Sequence, residues 1–390
     1  MFSARFARSL APNALTLELQ ALREQGKPLL DLTGSNPTRA GFSYPTGEIL
    51  AALARPACLT YDPHPAGLPA AREAAAATYA AHGVAVEPAR VLLTASTSEG
   101  YSYLFKLLTD PDDEVLVPVP SYPLFDWLAT MEGVQLRPYR LQYSTRWSVD
   151  LDSVRAAISP RTRAIIVVNP NNPTGSYLRT AEAETLLTLS ERHGLALIGD
   201  EVFADYPARP GADRCSTLAG AGRGLAFCMG GLSKSAGLPQ LKLGWVTAAG
   251  DPAMVDRAWE RLELIADTYL SVGAPIQHAL PGLLAMAPGI REQIAGRVAA
   301  NRELLARAVG AHPECEVLDC EGGWCGTIRI PATRGEEAWA LEFLRRDGVL
   351  VHPGYFFDFP SEAYLVVSLL VPPETLAEGL ARILERLRHP

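Results

Sequence analysis

Seven short runs rich in apolar and β-branched residues mark the first two thirds of the chain: Arg90–Thr94, Glu114–Val117, Val134–Tyr139, Ala164–Asn169, Leu195–Asp200, Leu225–Met229 and Leu243–Ala248. Helix-like segments lie between several of them, which is the rhythm of an α/β layer. In Ala164-Ile165-Ile166-Val167-Val168 every position is apolar, as a parallel strand sandwiched between helices requires. The pattern predicts a large domain with a mostly parallel seven-stranded sheet covered by helices. After Gly250 it changes to long amphipathic stretches, Pro252–Leu270 and Pro275–Val309, and then to a compact mixed segment from Glu316, expected to form a smaller α+β domain. The first 45 residues carry Pro12, Pro28, Pro37 and Pro45 and too little periodic sequence to fold alone. The expected division is therefore an N-terminal segment, 1–45, packed on the small domain or a second subunit, a large domain, 46–270, and a small domain, 271–390.

Composition narrows the function more than the fold. With 390 residues, 48% hydrophobic and 20% charged, the chain can bury a large core, which excludes disorder and fibrous repeats. A net charge of −8 speaks against a nucleic-acid partner. The six cysteines form no Cys-x-x-Cys pair and no histidines stand at ligand spacing around them, so no metal site is expected. No run approaches the ~18 apolar residues of a membrane span, and the first ten residues lack a signal core. The reading is a cytoplasmic protein with free thiols, acting on small molecules and not on membranes.

Four loops stand out because each follows a predicted strand, where open parallel sheets place ligand sites. Thr94-Ala95-Ser96-Thr97-Ser98-Glu99-Gly100 opens an apparent helix, Glu99–Leu108; its amides and hydroxyls suit a phosphate, or serve only as an N-cap. Asn169-Pro170-Asn171-Asn172-Pro173-Thr174-Gly175 is a rigid nonhelical loop, able to aim an amide or simply a turn. Asp200-Glu201 ends the strand Leu195–Gly199, and a carboxylate there stays ionised only against a cation such as a protonated heteroaromatic nitrogen. Gly231-Leu232-Ser233-Lys234-Ser235-Ala236-Gly237 places a lysine in a small-residue loop, where desolvation can lower its pKa enough to attack a carbonyl.

In this order and spacing the four loops resemble the class I/II aminotransferases, pyridoxal-phosphate enzymes of fold type I, over nearly the whole chain. The most specific parts are Asn-Asn-Pro-Thr-Gly, Asp200-Glu201, and Ser233-Lys234 with a basic residue eight positions on. The resemblance implies pyridoxal 5′-phosphate as cofactor and Lys234 as its Schiff-base residue and proton shuttle. It further implies Asp200 on the ring nitrogen, Asn172 on the phenolic oxygen and Tyr122 stacked on the ring. Ser96, Thr97, Ser233 and Lys242 would hold the phosphate. Tyr61 resembles the tyrosine that reaches a neighbouring subunit's phosphate, which implies a homodimer. Trp324 of Gly322-Gly323-Trp324 and Tyr355 and Phe356 of His352-Pro353-Gly354-Tyr355-Phe356-Phe357 would line the substrate side.

Three departures from the family pattern bear on what is accepted. Asp200-Glu201-Val202-Phe203 has a phenylalanine where a tyrosine is usual, and Tyr206 is the nearby phenol. Lys242 replaces a phosphate-clamping arginine, and Gly231 stands where a serine is expected. The arginine that typically forks the substrate carboxylate should fall near Val366, and none is there. Arg39, in Gly34-Ser35-Asn36-Pro37-Thr38-Arg39-Ala40-Gly41, is the first substitute and Arg329 the second. The expectation is a ping-pong aminotransferase acting between a neutral or aromatic α-amino acid and a 2-oxo acid, with a lyase or racemase on the same fold as the alternative. A cofactor-binding sensor without turnover is disfavoured because Lys234 and Asp200 both stand intact.

Overall fold

The structure, a computed structural model, describes residues 2–6 and 10–389. Positions 1 and 7–9 of the expected N-terminal segment, and position 390 of the expected small domain, lie outside the described residues. Strand β1 (Leu30–Asp31) comes first. It is followed by β2 (Val91–Thr94), β3 (Glu114–Val119), β4 (Gln135–Tyr143), β5 (Trp147–Val149), β6 (Thr162–Val168), β7 (Ala196–Asp200), β8 (Leu225–Gly231) and β9 (Gly244–Gly250). The C-terminal strands are β10 (Glu316–Val317), β11 (Cys325–Arg329), β12 (Val349–Leu350), β13 (His352–Pro353) and β14 (Tyr364–Ser368).

The large sheet has the order β2-β9-β8-β7-β6-β3-β4-β5. Strands β8, β7, β6, β3 and β4 are mutually parallel, while β9 runs against both its neighbours, so β2 points with the majority. The carboxyl ends of β2, β3, β6, β7 and β8 therefore share one edge, and β9 starts there. All seven expected strands are present. An eighth, β5, is added as an antiparallel hairpin on β4. Its three residues, Trp147-Ser148-Val149, are too short to announce themselves by alternation.

Period-two alternation explains why β6 reads as a continuous apolar run. Ile165 and Val167 enter the core on one face of the sheet, and Ala164, Ile166 and Val168 the core on the other. Helices Thr97–Leu108 and Pro252–Tyr269 pack together over the second face, with Leu104, Phe105 and Leu262 fully buried. Helix Thr180–His193 covers the first face through Leu186 and Leu187. Full burial of each such side chain contributes roughly 1.5–3 kcal/mol.

The second, smaller sheet is antiparallel, in the order β10-β11-β14-β13, and is backed by helix Pro373–Arg388. A 37-residue helix, Ala274–Gly310, packs on helix Thr46–Leu53 near the large sheet and on Pro373–Arg388 beside the small one. Near the N-terminus, helix Ala14–Glu24 buries Leu15 and Leu22 against Ala340 and Leu344, and β1 pairs in parallel with β12. Among the described residues no helix is long and apolar enough to cross a membrane.

Candidate active site

The shared edge of the large sheet opens into a cavity of about 370 Å³. Residues from all four predicted loops line it: Ser96 and Thr97 after β2, Asn172 after β6, Asp200 at the end of β7, and Ser233 and Lys234 after β8. Tyr122, Lys242 and Trp324 complete the group. Strand direction is what brings these distant segments together.

Lys234 sits on a four-residue helical turn, Leu232–Ser235, directly after β8. Burial lowers its pKa, with Cys325 and Asp200 opposing that shift. Its Nζ lies 5.0 Å from the Trp324 ring centroid and 5.5 Å from that of Phe203. Two aromatic faces thus stand where a phenol would otherwise offer a hydrogen bond, and both favour a positive charge on that nitrogen. Tyr206 does not fill the gap left by Phe203: its hydroxyl donates to the Lys234 backbone carbonyl at 2.8 Å and its ring packs edge-on against Trp324. It fixes the lysine's backbone instead of addressing the cavity.

Asp200 is 9% exposed. Tyr101 Oη donates to its Oδ2 at 3.0 Å and the Val202 amide to its Oδ1 at 3.3 Å. Burial raises its pKa, and these two donors and Lys234 pull it back. A cation at the cavity wall, such as a protonated ring nitrogen, would complete the compensation. Tyr101 was not anticipated. Its signal is its place one turn into the helix that Ser96 caps, on the side facing β7.

The loop after β6 separates scaffolding from function. Asn169 bonds Cys215 O and the Leu178 amide, and Asn171 bonds Ser121 and Thr174. Asn172 alone of the three lines the cavity, its Oδ1 accepting from the Cys325 thiol at 3.4 Å. At the other end, Ser96 is the N-cap of helix Thr97–Leu108 and its Oγ accepts from the Glu99 amide. Gly244 lies against this cap: a Cβ there would stand 3.1 Å from Thr97 N and from Gly230 O. Helix start, the hydroxyls of Ser96, Thr97, Ser98 and Ser233, and the Lys242 ammonium together form an anion cradle of the right chemistry for a phosphate. With Lys234, Asn172, Asp200 and the half-exposed Tyr122, the donor set fits pyridoxal phosphate from end to end.

The remaining expected residues fall outside this cavity. Arg39 is exposed at the end of a short 3-10 turn and is not among the lining residues; Ser35, four positions earlier, is. Arg329 is half exposed and paired with Glu316. Tyr355 is 40% exposed and directs its hydroxyl to Glu337, and Tyr61 is 82% exposed beside a separate groove. Sequence reasoning passed over Ser35 and Cys325, both of which line the site.

Cys325 opens β11 of the small sheet and Trp324 directly precedes it, and both are tied to the segments around the large sheet. Glu321 is ion-paired with Arg179 and, at 3.0 Å, with Arg214, all three side chains being 7% exposed. Ala208 N donates to Glu321 O at 2.7 Å and Gly323 N to Tyr206 O at 3.0 Å. Gly175 has φ +68°, and a Cβ there would lie 2.3 Å from Cys320 Sγ, so only glycine permits this approach.

The family model described as aminotransferase class I and II matches residues 43–383. A glutamate-pyruvate aminotransferase, AlaA, of Escherichia coli K12 is 30% identical over 364 residues, covering 90% of this chain and 89% of that protein. A 4-dedimethylamino-4-oxo-anhydrotetracycline transaminase, OxyQ, of Streptomyces rimosus is 29% identical, covering 87% of this chain and 94% of that one. Among solved structures, an alanine aminotransferase from Pyrococcus furiosus superposes with a TM-score of 0.90 at 24% identity, each chain fully covered. The chain belongs to the class I and II aminotransferases. It is a fold type I, pyridoxal-phosphate-dependent enzyme that transfers an amino group between amino and oxo acids.

Proposed function

We propose that the enzyme works by ping-pong between a neutral or aromatic α-amino acid and a 2-oxo acid, with Lys234 as the only group that moves protons at the reacting carbon. The observation that carries this is the meeting of buried Lys234 and buried Asp200 in one cavity that ends in an anion cradle. Pyridoxal phosphate, when bound, supplies the electron sink that stabilises the substrate carbanion. Asp200 would pair with the ring nitrogen, and the hydrogen bond from Tyr101 favours the Asp200 carboxylate. Asn172 would donate to the ring's phenolic oxygen, Tyr122 would stack on the ring, and Ser96, Thr97, Ser233 and Lys242 would anchor the phosphate. Lys234 Nζ, its pKa lowered by burial, would serve as the base that takes the α-proton and as the acid that gives it back. Trp324 bounds the substrate with an apolar face. Arg39 and Tyr355 join only if the N-terminal loop and the loop after β13 close over a bound substrate.

We take 46–270 as the cofactor-binding domain and 271–390 as the small one, with 1–45 packed on it. We also infer a homodimer in which Tyr61, exposed in a groove with His64, Tyr103 and Gln277, reaches the neighbouring site. Six unbridged cysteines support a cytoplasmic location. A panel of amino acids presented without acceptor, read by the cofactor's absorption, tests the reaction. Stoichiometric conversion to the amine form, reversed by a 2-oxo acid, is expected. Continuous turnover without acceptor would mean a lyase or racemase instead.

A further inference from the structure

The substrate end of the cavity is bounded by the small sheet, and register fixes which residues face it. Cys325 pairs with Ser368, Thr327 with Val366, and His352 with Val366 from the other side. Residues directly opposite one another, and those two apart on a strand, share a face. Cys325, Thr327, Val366, Ser368 and His352 therefore form one face. Cys325 lines the cavity, and Ser368 Oγ donates at 2.7 Å to the carbonyl of Gly34, next to the lining residue Ser35. Cys325 opens this face onto the substrate end of the cavity, and Thr327, Val366 and Ser368 lie buried beside it as the backing of that wall.

None of these five side chains is a lysine, an arginine or a carboxylate. Val366 is 1% exposed and Thr327 is 2% exposed, with an Oγ1 that has no hydrogen-bond partner. Burial pushes the Cys325 thiol up to about 12 and holds His352 below the usual imidazole range, with Asp31 opposing the latter shift. Arg329, further along the same face, is committed to Glu316. Arg297, on the long helix, donates to the carbonyls of Ala40 and Leu370 and lies 5.2 Å over the Phe42 ring. Among the described lining residues the cations are Lys234 and Lys242, one at the reacting carbon and one at the phosphate cradle. A carboxylate on the reacting carbon gains no fixed counter-charge here, and a neutral group in its place loses none.

We propose that this enzyme also transaminates primary amines and amino-acid amides that carry no carboxylate on the reacting carbon, nearly as well as the corresponding α-amino acids. The proposal rests on the aminotransferase reading above. For an amine R–CH(NH2)–R′ the C–N bond breaks and the carbon gives up a proton and an electron pair. A C=O bond then forms with oxygen from water. The acceptor's carbonyl carbon gains the amino group, proton and electron pair, and its oxygen leaves as water. The two waters cancel, and no outside oxidant or reductant enters. The oxo acid passes the same neutral wall, so weak discrimination is expected, not an inverted one.

The test uses the cofactor-loaded enzyme. The best amino acid of a broad panel is compared with its own amide and its own decarboxylated amine, by single-turnover conversion of the cofactor to the amine form. A site built around a substrate's polar group rejects analogues lacking it by ~10⁴–10⁵, whereas an apolar wall discriminates by ~10–200. A preference for the acid below about thirtyfold in kcat/KM supports the proposal, and a larger one overturns it. A matched unreactive pair, 3-phenylpropanoate and 3-phenylpropanamide, should bind with dissociation constants within about tenfold of each other; a hundredfold advantage for the anion would contradict the neutral wall. Val366→Arg should raise the acid-to-amide ratio at least about tenfold, and if that variant does not fold the wild-type series decides alone. If no amino acid of the panel converts the cofactor at all, the aminotransferase reading has failed, a result distinct from acid-only conversion.

Discussion

The two ends of the cavity are built on different principles. At the cofactor end Ser96, Asp200 and Lys234 stand at or just after the carboxyl ends of strands of the large sheet, and each is tied down by a hydrogen bond. Asp200 has Tyr101 and the Val202 amide, Lys234 has the Tyr206 hydroxyl on its backbone, and Ser96 caps its helix. The end is polar and charged. The substrate end is assembled from segments far apart in the chain, Ser35, Trp324-Cys325 and the β14 face, held in place by the buried Glu321 ion pairs, and its wall is neutral. Reaction chemistry and substrate choice are thus separately encoded, so substitutions at one end should leave the other's signature intact.

Lys234→Ala should break the cofactor end most severely, lowering kcat/KM by at least about 10³-fold while the phosphate cradle still binds cofactor, as a dialysis and absorbance measurement would show. Glu321→Ala attacks the other end without touching either. It leaves Arg214 buried without its carboxylate, while Arg179 keeps Asp213, and should cost ~3–5 kcal/mol in denaturant unfolding, with KM rising more than kcat falls. Asp200→Asn removes the charge opposite the ring nitrogen and should lower kcat by roughly 10²–10³ without changing the order of preferred substrates. A changed order would mean that the two ends are coupled.

Two smaller effects sharpen the picture beneath the sheet. Burial raises the Glu201 carboxyl to about 7, against hydrogen bonds from Thr217 and Leu218 that lower it. Because the folded state holds a proton that the unfolded chain releases near its ordinary pKa of 4.5, this group's contribution to stability falls as pH rises from 4.5 through 7. Glu201→Gln should flatten that decline by roughly 2–3 kcal/mol, seen as a smaller loss of melting temperature between pH 5 and 8. Tyr101→Phe removes a donor to the Asp200 carboxylate, so the pKa of Asp200 should rise. The acid limb of the kcat/KM profile should then move up by about one pH unit, with kcat falling about tenfold or less.

The same contrast decides what could be read from the chain. Seven of the eight strands of the large sheet, and the meeting of Ser96, Asn172, Asp200, Ser233, Lys234 and Lys242 in one cavity, were legible because apolar runs and the polar loops beside them are local in sequence. Tyr101 was not, since its importance comes from helix Thr97–Leu108 crossing the end of β7. The neutral wall appeared only as a missing arginine at Val366; that Cys325, Thr327 and His352 share its face follows from strand register, which no local pattern announces. Arg39 was a reasonable substitute by chain position, but the 3-10 turn Pro37–Arg39 leaves it exposed and gives Ser35 to the cavity.

Everything at the cofactor end turns on one nitrogen, Nζ of Lys234, bonding reversibly to the cofactor's aldehyde. Borohydride reduction of the loaded enzyme followed by peptide mapping addresses it directly. The expected result is a single stable label on the peptide containing Ser233-Lys234-Ser235; a label on Lys242 or elsewhere, or none on enzyme shown to hold cofactor, would contradict the account.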